Sequence, residues 1–370
     1  MEKAKVYFTD MRTKPMGKNL LQKLEALIRA AGIEKIHFEN QYTAIKMHFG
    51  EPGNLAYLRP NYAKVVVDVV KSLGGKPFLT DCNTLYVGGR KNALDHLDSA
   101  YLNGFSPFST GCHVIIADGL KGTDECLVPV EGGEYVKEAK IGRAIMDADV
   151  FISLNHFKGH EMAGFGGALK NIGMGCGSRR GKMEMHSEGK PVVEEELCIG
   201  CGRCSRICAQ EAAIVTNGKS HIALEKCAGC GRCVGVCPTD AIQPQYDTSN
   251  AVMNKKVAEY TKAVLSGRPH FHISLVVDVS PFCDCHGEND TAIVPDVGMF
   301  ASFDPVALDV ACADAVNRQP AMENSLLGDC DHCCHDHFTA IGPTTDWRSA
   351  VEHAEKLGIG TQDYELISID

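Results

Sequence analysis

The sequence predicts an α/β protein: a mostly parallel sheet with helices on both faces, interrupted by a small inserted α+β module. Three observations carry this. Short β-branched runs alternate with amphipathic stretches over roughly the first 154 residues, the β-α-β-α order that builds parallel sheets. The chain is 370 residues long, enough for two or three domains. A cysteine-rich repeat splits the pattern at residues 190-247, and the α/β order resumes after it. Residues 1-189 and 248-370 therefore read as one discontinuous α/β domain around the insertion.

The elements follow in order. Lys5 to Thr9 reads as a strand, Lys18 to Ala31 as a helix ending at Gly32, Thr43 to Phe49 as a strand, and Asn61 to Leu73 as a helix ending at Gly74 and Gly75. A strand at Lys76 to Thr80, a helix at Lys91 to Leu102, a strand at His113 to Asp118, a helix at Lys137 to Asp147 and a strand at Val150 to Leu154 continue the alternation. Residues 155 to 189 break the rhythm with nine glycines and a local excess of positive charge. After the insertion come a helix at Ala251 to Leu265, a strand at His272 to Val279, a helix opened by Asp304 and Pro305, a helix at Trp347 to Leu357 and a strand at Glu365 to Ile369. Asp as N-cap with Pro at the first helical position is a strong helix start.

Composition narrows the function. Hydrophobic residues at 44% and charged residues at 23% are near the globular average and argue against disorder. A net charge of −10 gains nothing from phosphate attraction, so nucleic acid is not an expected partner. No apolar run approaches the ~20 residues of a membrane helix, and Met1 to Lys14 lacks a hydrophobic leader stretch. Membrane insertion is not expected, and the expected location is cytoplasmic. In a reducing compartment, 18 cysteines point to metal or redox ligands rather than disulfides.

Eight of them form one pattern. Cys198, Cys201, Cys204 and Cys208 recur as Cys227, Cys230, Cys233 and Cys237, each offset by 29 residues, and Gly200, Gly202 and Arg203 repeat as Gly229, Gly231 and Arg232. Each half is C-x2-C-x2-C-x3-C, the run by which bacterial ferredoxins hold two [4Fe-4S] clusters, the fourth cysteine of each run serving the other cluster. The expected sets are Cys198, Cys201, Cys204 and Cys237 for one cluster, and Cys227, Cys230, Cys233 and Cys208 for the other. Pro238 follows Cys237 as the pattern asks, while Ala209 replaces the first proline. Ile214 to Thr216, Asn217-Gly218 and His221 to Leu224 spell a hairpin with a primed turn. A pair of zinc sites is the alternative, and it leaves the third cysteine of each triplet idle.

In an open α/β sheet the loop after the Val150 strand is a ligand position, because strand C-termini and helix N-termini converge there. It carries His156, Lys158, His160 and Lys170 around a glycine turn, with Lys46 and His48 ending a neighbouring strand. This set suits an anionic substrate, with an imidazole or lysine moving protons. A glycine-rich connection with a solvated basic face is the plainer reading. Cys283 and Cys285 beside His286, and Cys330, Cys333 and Cys334 among His332, His335 and His337, form two further groups. Cys283, Cys285, Cys330 and Cys333 have spacings that could close one tetrahedral site for zinc or a further iron–sulfur cluster, against unliganded buried thiols. Cys82, Cys112, Cys126 and Cys312 read as core residues, and Cys176 as ambiguous.

Longer strings carry a resemblance: AIKMHFGEPGN at Ala44 to Asn54, TDCNTLYVGGR at Thr80 to Arg90, LNHFKGHEMAGFGGALKNIGMG at Leu154 to Gly175, CDCHGEND at Cys283 to Asp290, PDVGMFASFDPVALD at Pro295 to Asp309, and AEKLGIGTQDYELI at Ala354 to Ile367. Together they resemble the domain of unknown function 362 family, in its subgroup with an inserted two-cluster ferredoxin segment. The resemblance implies an α/β host and an iron–sulfur protein, typically of anaerobes, and brings no reaction with it. Two functions follow as expectations. One is an iron–sulfur oxidoreductase passing low-potential electrons through two [4Fe-4S] clusters to or from an anionic substrate or metal centre in the α/β domain. The other is a non-enzymatic ferredoxin-type electron carrier or metal-centre assembly factor, whose partner is a redox protein. A deep pocket at Lys46, His156, Lys158 and Lys170 would speak for the first, and a flat surface there for the second.

Overall fold

The computed structural model describes residues 3–85, 88–330 and 335–370. Among these, eight strands form the central sheet: β1 (Ala4–Asp10), β2 (Tyr42–Lys46), β3 (Lys76–Asp81), β4 (Val114–Ile116), β5 (Val150–His156), β6 (His270–Val276), β7 (Gly298–Ser302) and β8 (Tyr364–Ser368). They lie in the order β8-β1-β7-β6-β5-β2-β3-β4. Only β7 runs against its neighbours, antiparallel to both β1 and β6; the other pairs are parallel. The sheet is large and mostly parallel, and the fold is α/β.

Strand side chains alternate between two cores, as the two-residue period requires. Ile45, Leu79, Ile152, Leu154, Ile273 and Met299 pack on one face with Leu24, Leu27 and Val66 of the helices Leu20–Ala30 and Pro60–Ser72. Ala44, Phe78, Phe151 and Phe300 pack on the other with Ile172, Val257, Leu308 and Val351. Those come from the helices Ala168–Cys176, Asn250–Leu265, Pro305–Asn317 and Arg348–Lys356. All seven residues of β5 are buried, which explains its nearly unbroken apolar start. Asp304 caps its helix as expected, its carboxylate accepting the N–H groups of Val306 and Ala307.

One expected element is corrected. Lys137 to Asp147 is not a helix: Glu138–Gly142 is a strand, antiparallel to Glu125–Pro129, followed by a single turn at Arg143–Met146. Its helix-forming Glu, Ala and Lys are overridden by pairing with Cys126 to Val128, which buries Ala139 and Ile141. Residues 155 to 189, expected as an irregular loop, contain the hairpin Lys158–His160 with Gly164–Gly166 and the helices Ala168–Cys176 and Arg179–His186. Strand β7 lies in a stretch assigned to no strand from the sequence.

Between residues 190 and 247, two short hairpin-like pairs, Pro191–Val193 with Ile242–Pro244 and Ala213–Thr216 with Lys219–Ile222, flank two one-turn helices, Arg203–Ile207 and Arg232–Val236. The turn at Asn217 and Gly218 has φ 52° and 76°, the expected primed geometry. This segment has its own small apolar cluster of Cys204, Ala213, Val234 and Ile242. Leu85 and Met183, from the surrounding α/β fold, complete it.

Candidate functional site

Three parallel strands end at one place. The last residues of β2, β3 and β5 are Lys46, Asp81 and His156, at the carboxyl edge where open α/β sheets hold ligands. The helix Ala168–Cys176 begins there, and the buried Asp309 carboxylate accepts the N–H groups of Ala168 and Leu169 at 2.6 and 2.9 Å. That capping sets the position of Lys170 and Asn171 one turn on. A cavity of about 70 Å³ lies among these elements, lined by Lys46, His156, Lys158, Lys170 and Lys182 together with Asp81, Arg90, Cys283, Asp284 and Cys285. That is room for a few waters or one small anion.

The wall is mostly internally paired. Lys46 Nζ lies 3.0 Å from Asp81 Oδ1 and donates to Asn171 Oδ1 at 2.8 Å. Burial opposes ionisation of Asp81, but Lys46 and the neighbouring cations outweigh it and hold the carboxyl below its usual range. His156 Nδ1 contacts both Asp284 oxygens at 2.9 Å, and its Nε2 faces the Val277 carbonyl at 2.8 Å. Both ring nitrogens thus face protein partners rather than the cavity. Arg90, fully buried, donates through Nε to Glu51 Oε2 at 2.6 Å and stands 2.7 Å from His48 Nε2. Burial, reinforced by Arg90, pulls the His48 pKa well down. Lys182 donates to the Gly177 carbonyl at 2.6 Å.

Lys158 and Lys170 differ: among the described residues neither ammonium makes an ion pair or hydrogen bond, yet both line the cavity. Burial works against the Lys158 charge, but the nearby Cys283, Asp284 and Cys285 raise its pKa above the ordinary lysine value. Gly166 gives its ammonium room; a Cβ there would stand 2.5 Å from Lys158 Nζ. A buried and a half-buried ammonium with no direct ion-pair partner can receive a small anion.

His160 is not in the cavity lining but beside it. Its ring and the sulfurs of Cys283 and Cys285 have ligand atoms all within 4.8 Å of one another. The Cys283 thiol hydrogen-bonds Cys285; that contact and burial push Cys283 up to about 11, while the same contact draws Cys285 down against its burial. Cys330 is not part of that group: its thiol donates to the carbonyls of Leu326 and Ala340 at 3.2 and 3.5 Å. Cys333, with Cys334 and His332, lies outside the described residues. Cys82, read as core from the sequence, is buried but also lines the cavity. Asp81, Arg90 and Asp284 were not singled out from the sequence, although all three sit in the longer strings quoted above, and Lys182 counted only toward the positive charge of residues 155 to 189.

Between residues 190 and 247, Cys198, Cys201, Cys204 and Cys237 line one cavity of about 20 Å³. Cys233 is pushed up to about 12 by burial and by the neighbouring thiols of Cys230 and Cys227. Backbone N–H groups aim at the sulfurs: Ser220 at Cys198, Ala212 at Cys208 and Gly229 at Cys227, at 3.3, 3.3 and 3.4 Å.

A family model described as a domain of unknown function, DUF362, matches residues 43–314. Among curated proteins, a thylakoid-associated protein of Synechocystis sp. is 27% identical over 143 residues, which is 37% of this chain and 38% of that protein. The chain thus spans well under half the length of that relative. Two solved structures align at TM-score 0.33. The lactate racemase apoprotein of Thermoanaerobacterium thermosaccharolyticum is 12% identical, covering 70% of this chain and 45% of that one. A protein of Thermotoga maritima is 11% identical, covering 70% and 50%. No helix among the described residues is long and apolar enough to cross a membrane.

Proposed function

The chain belongs to the DUF362 family, whose model spans residues 43–314, and from that premise we propose an iron–sulfur oxidoreductase that exchanges low-potential electrons with a small anionic substrate held at the cavity. The inserted segment is read as a two-cluster ferredoxin module. Cys198, Cys201, Cys204 and Cys237 are the ligands of one [4Fe-4S] cluster, and Cys227, Cys230, Cys233 and Cys208 of the other. The gathering of the first four around one cavity fits that crossed set, and the N–H groups aimed at cysteine sulfurs are the contacts that tune such centres. When bound, the clusters supply single electrons at low potential.

One observation carries the reading. The cavity and the inserted segment stand back to back, one residue apart, in two places: Thr84 and Lys182 line the cavity, while the next residues, Leu85 and Met183, pack with Cys204 and Val234 of the insertion. That separation suits electron transfer between a substrate and the nearer cysteine set. Lys158 and Lys170 bind the anion; Lys46 and His156, held by Asp81 and Asp284, shape the wall. The concave, cation-lined site supports an oxidoreductase over a pure carrier or assembly factor, which needs only a docking surface.

Anaerobic purification with iron and sulfide analysis and electron paramagnetic resonance of the reduced protein tests this. The expected content is about eight irons per chain. Four or fewer irons, with zinc on the repeat cysteines, would refute it.

A further inference from the structure

The group of His160, Cys283 and Cys285 has no role in the reading above. The two sulfurs come from the segment after β6, the imidazole from the hairpin after β5, and parallel pairing of those strands brings them together. Cys283 is buried, and both cysteines line the cavity with Lys158 and Lys170.

We propose that His160, Cys283 and Cys285 bind one divalent metal ion of the zinc class, with its fourth coordination position opening onto the cavity. Two thiolates and an imidazole are a borderline-soft donor set, and three protein ligands with one open position mark catalytic rather than structural zinc sites. A dication would take the place of the proton that burial and Cys285 keep on Cys283, holding both sulfurs as thiolates. The ring is already oriented. Met162 and Ala163 N–H groups donate to His160 Nδ1 at 3.1 Å each, so without metal the ring proton sits on Nε2, the nitrogen left for the sulfurs. A metal on Nε2 displaces that proton to Nδ1, where the Glu161 carboxylate, 3.5 Å away, takes the place of the two amide donors as its partner. Glu161 is itself held by His286 Nε2 at 3.0 Å and by the Cys283 amide at 3.2 Å. The open position then faces the two unpaired lysines, so an anion bound between them becomes the fourth ligand. Glu161 acts as a positioning residue.

This deepens the cavity reading but needs no cluster. The test uses the full chain, purified anaerobically, equilibrated with zinc and desalted against a weak chelator, with zinc and iron measured together. The expected result is one zinc per chain, coordinated by two sulfurs in X-ray absorption. It is lost in Cys283→Ser and Cys285→Ser, and Glu161→Gln weakens affinity about 10–100-fold. Iron content equal to wild type shows that each variant is folded. Free thiols without metal, zinc persisting in the double cysteine variant, or zinc with four sulfurs lost instead in Cys201→Ser would each overturn the proposal. Zinc on two sulfurs without iron would refute the cluster reading alone; iron without zinc would refute only this one.

Discussion

Lys190 and Lys219, 29 residues apart, make the same contacts to opposite halves of the cysteine repeat. Lys190 Nζ donates to the carbonyls of Leu224 and Cys227, and Lys219 Nζ to those of Glu195 and Cys198. Both acceptor pairs are themselves offset by 29. Gly200 and Gly229 repeat the relationship, each so close to a carbonyl, of Gly218 and Gly189 respectively, that a Cβ would stand 2.3 Å from it. Residues 190–247 hold an internal repeat in which each half braces the cysteine loop of the other.

Replacing either lysine by alanine should therefore loosen the opposite loop to a similar degree. Each lost charged hydrogen bond is worth roughly 1.5–3 kcal/mol at most, and less here because both lysines are half-exposed. Denaturation midpoints with iron retention measure it. A large effect in one variant and none in the other would contradict the duplicated bracing.

Lys158→Ala and Lys170→Ala should each weaken binding of a small oxyanion about tenfold or more, the loss of one charged hydrogen bond. Inorganic phosphate followed by calorimetry is the probe, with Lys121→Ala, an exposed lysine away from the cavity, as the control. Unchanged affinity in both cavity variants would remove the anion site.

Gly166→Ala separates packing from binding. The three atoms nearest the added Cβ all belong to the flexible end of Lys158, and Gly166 is not among the positive-φ glycines, so no backbone strain arises. We expect near-normal thermal stability with phosphate affinity reduced as in Lys158→Ala. A stability loss with unchanged affinity would show that the ammonium does not stand where ligand binds.

Asp309 should make stability pH-dependent. Burial raises its pKa to about 7, from an ordinary value of 3.8, against the two amide hydrogen bonds that favour the carboxylate. The folded state then binds the proton more tightly than the unfolded, so this residue's contribution is fully present below about pH 4 and declines as pH rises to 7. Asp309→Asn removes that titration. Relative to wild type, it should gain stability between pH 4 and 7.5, read from denaturant midpoints; a constant difference across that range would refute the assignment.

The alternation of apolar runs determined the α/β class, because strands buried on both faces leave continuous β-branched stretches and surface helices leave 3.6-residue stripes. The eight-cysteine repeat and the basic loop at Lys158 and Lys170 were equally legible, since local spacing alone displays them. Residues 138–142 were not: their composition favours a helix, and only the partner strand at Glu125–Pro129 makes them extended. Nor were the pairs that shape the cavity. Asp284 reaches His156 across 128 positions, and Asp81 reaches Lys46 from the next strand of the sheet. His160 joins Cys283 and Cys285, rather than Cys330 joining them, for the same reason: parallel β5 and β6 carry their following segments to one edge. Which charged side chains neutralise one another, and which two lysines stay unpaired, depends on strand order across the sheet, a long-range property that no local pattern of residues contains.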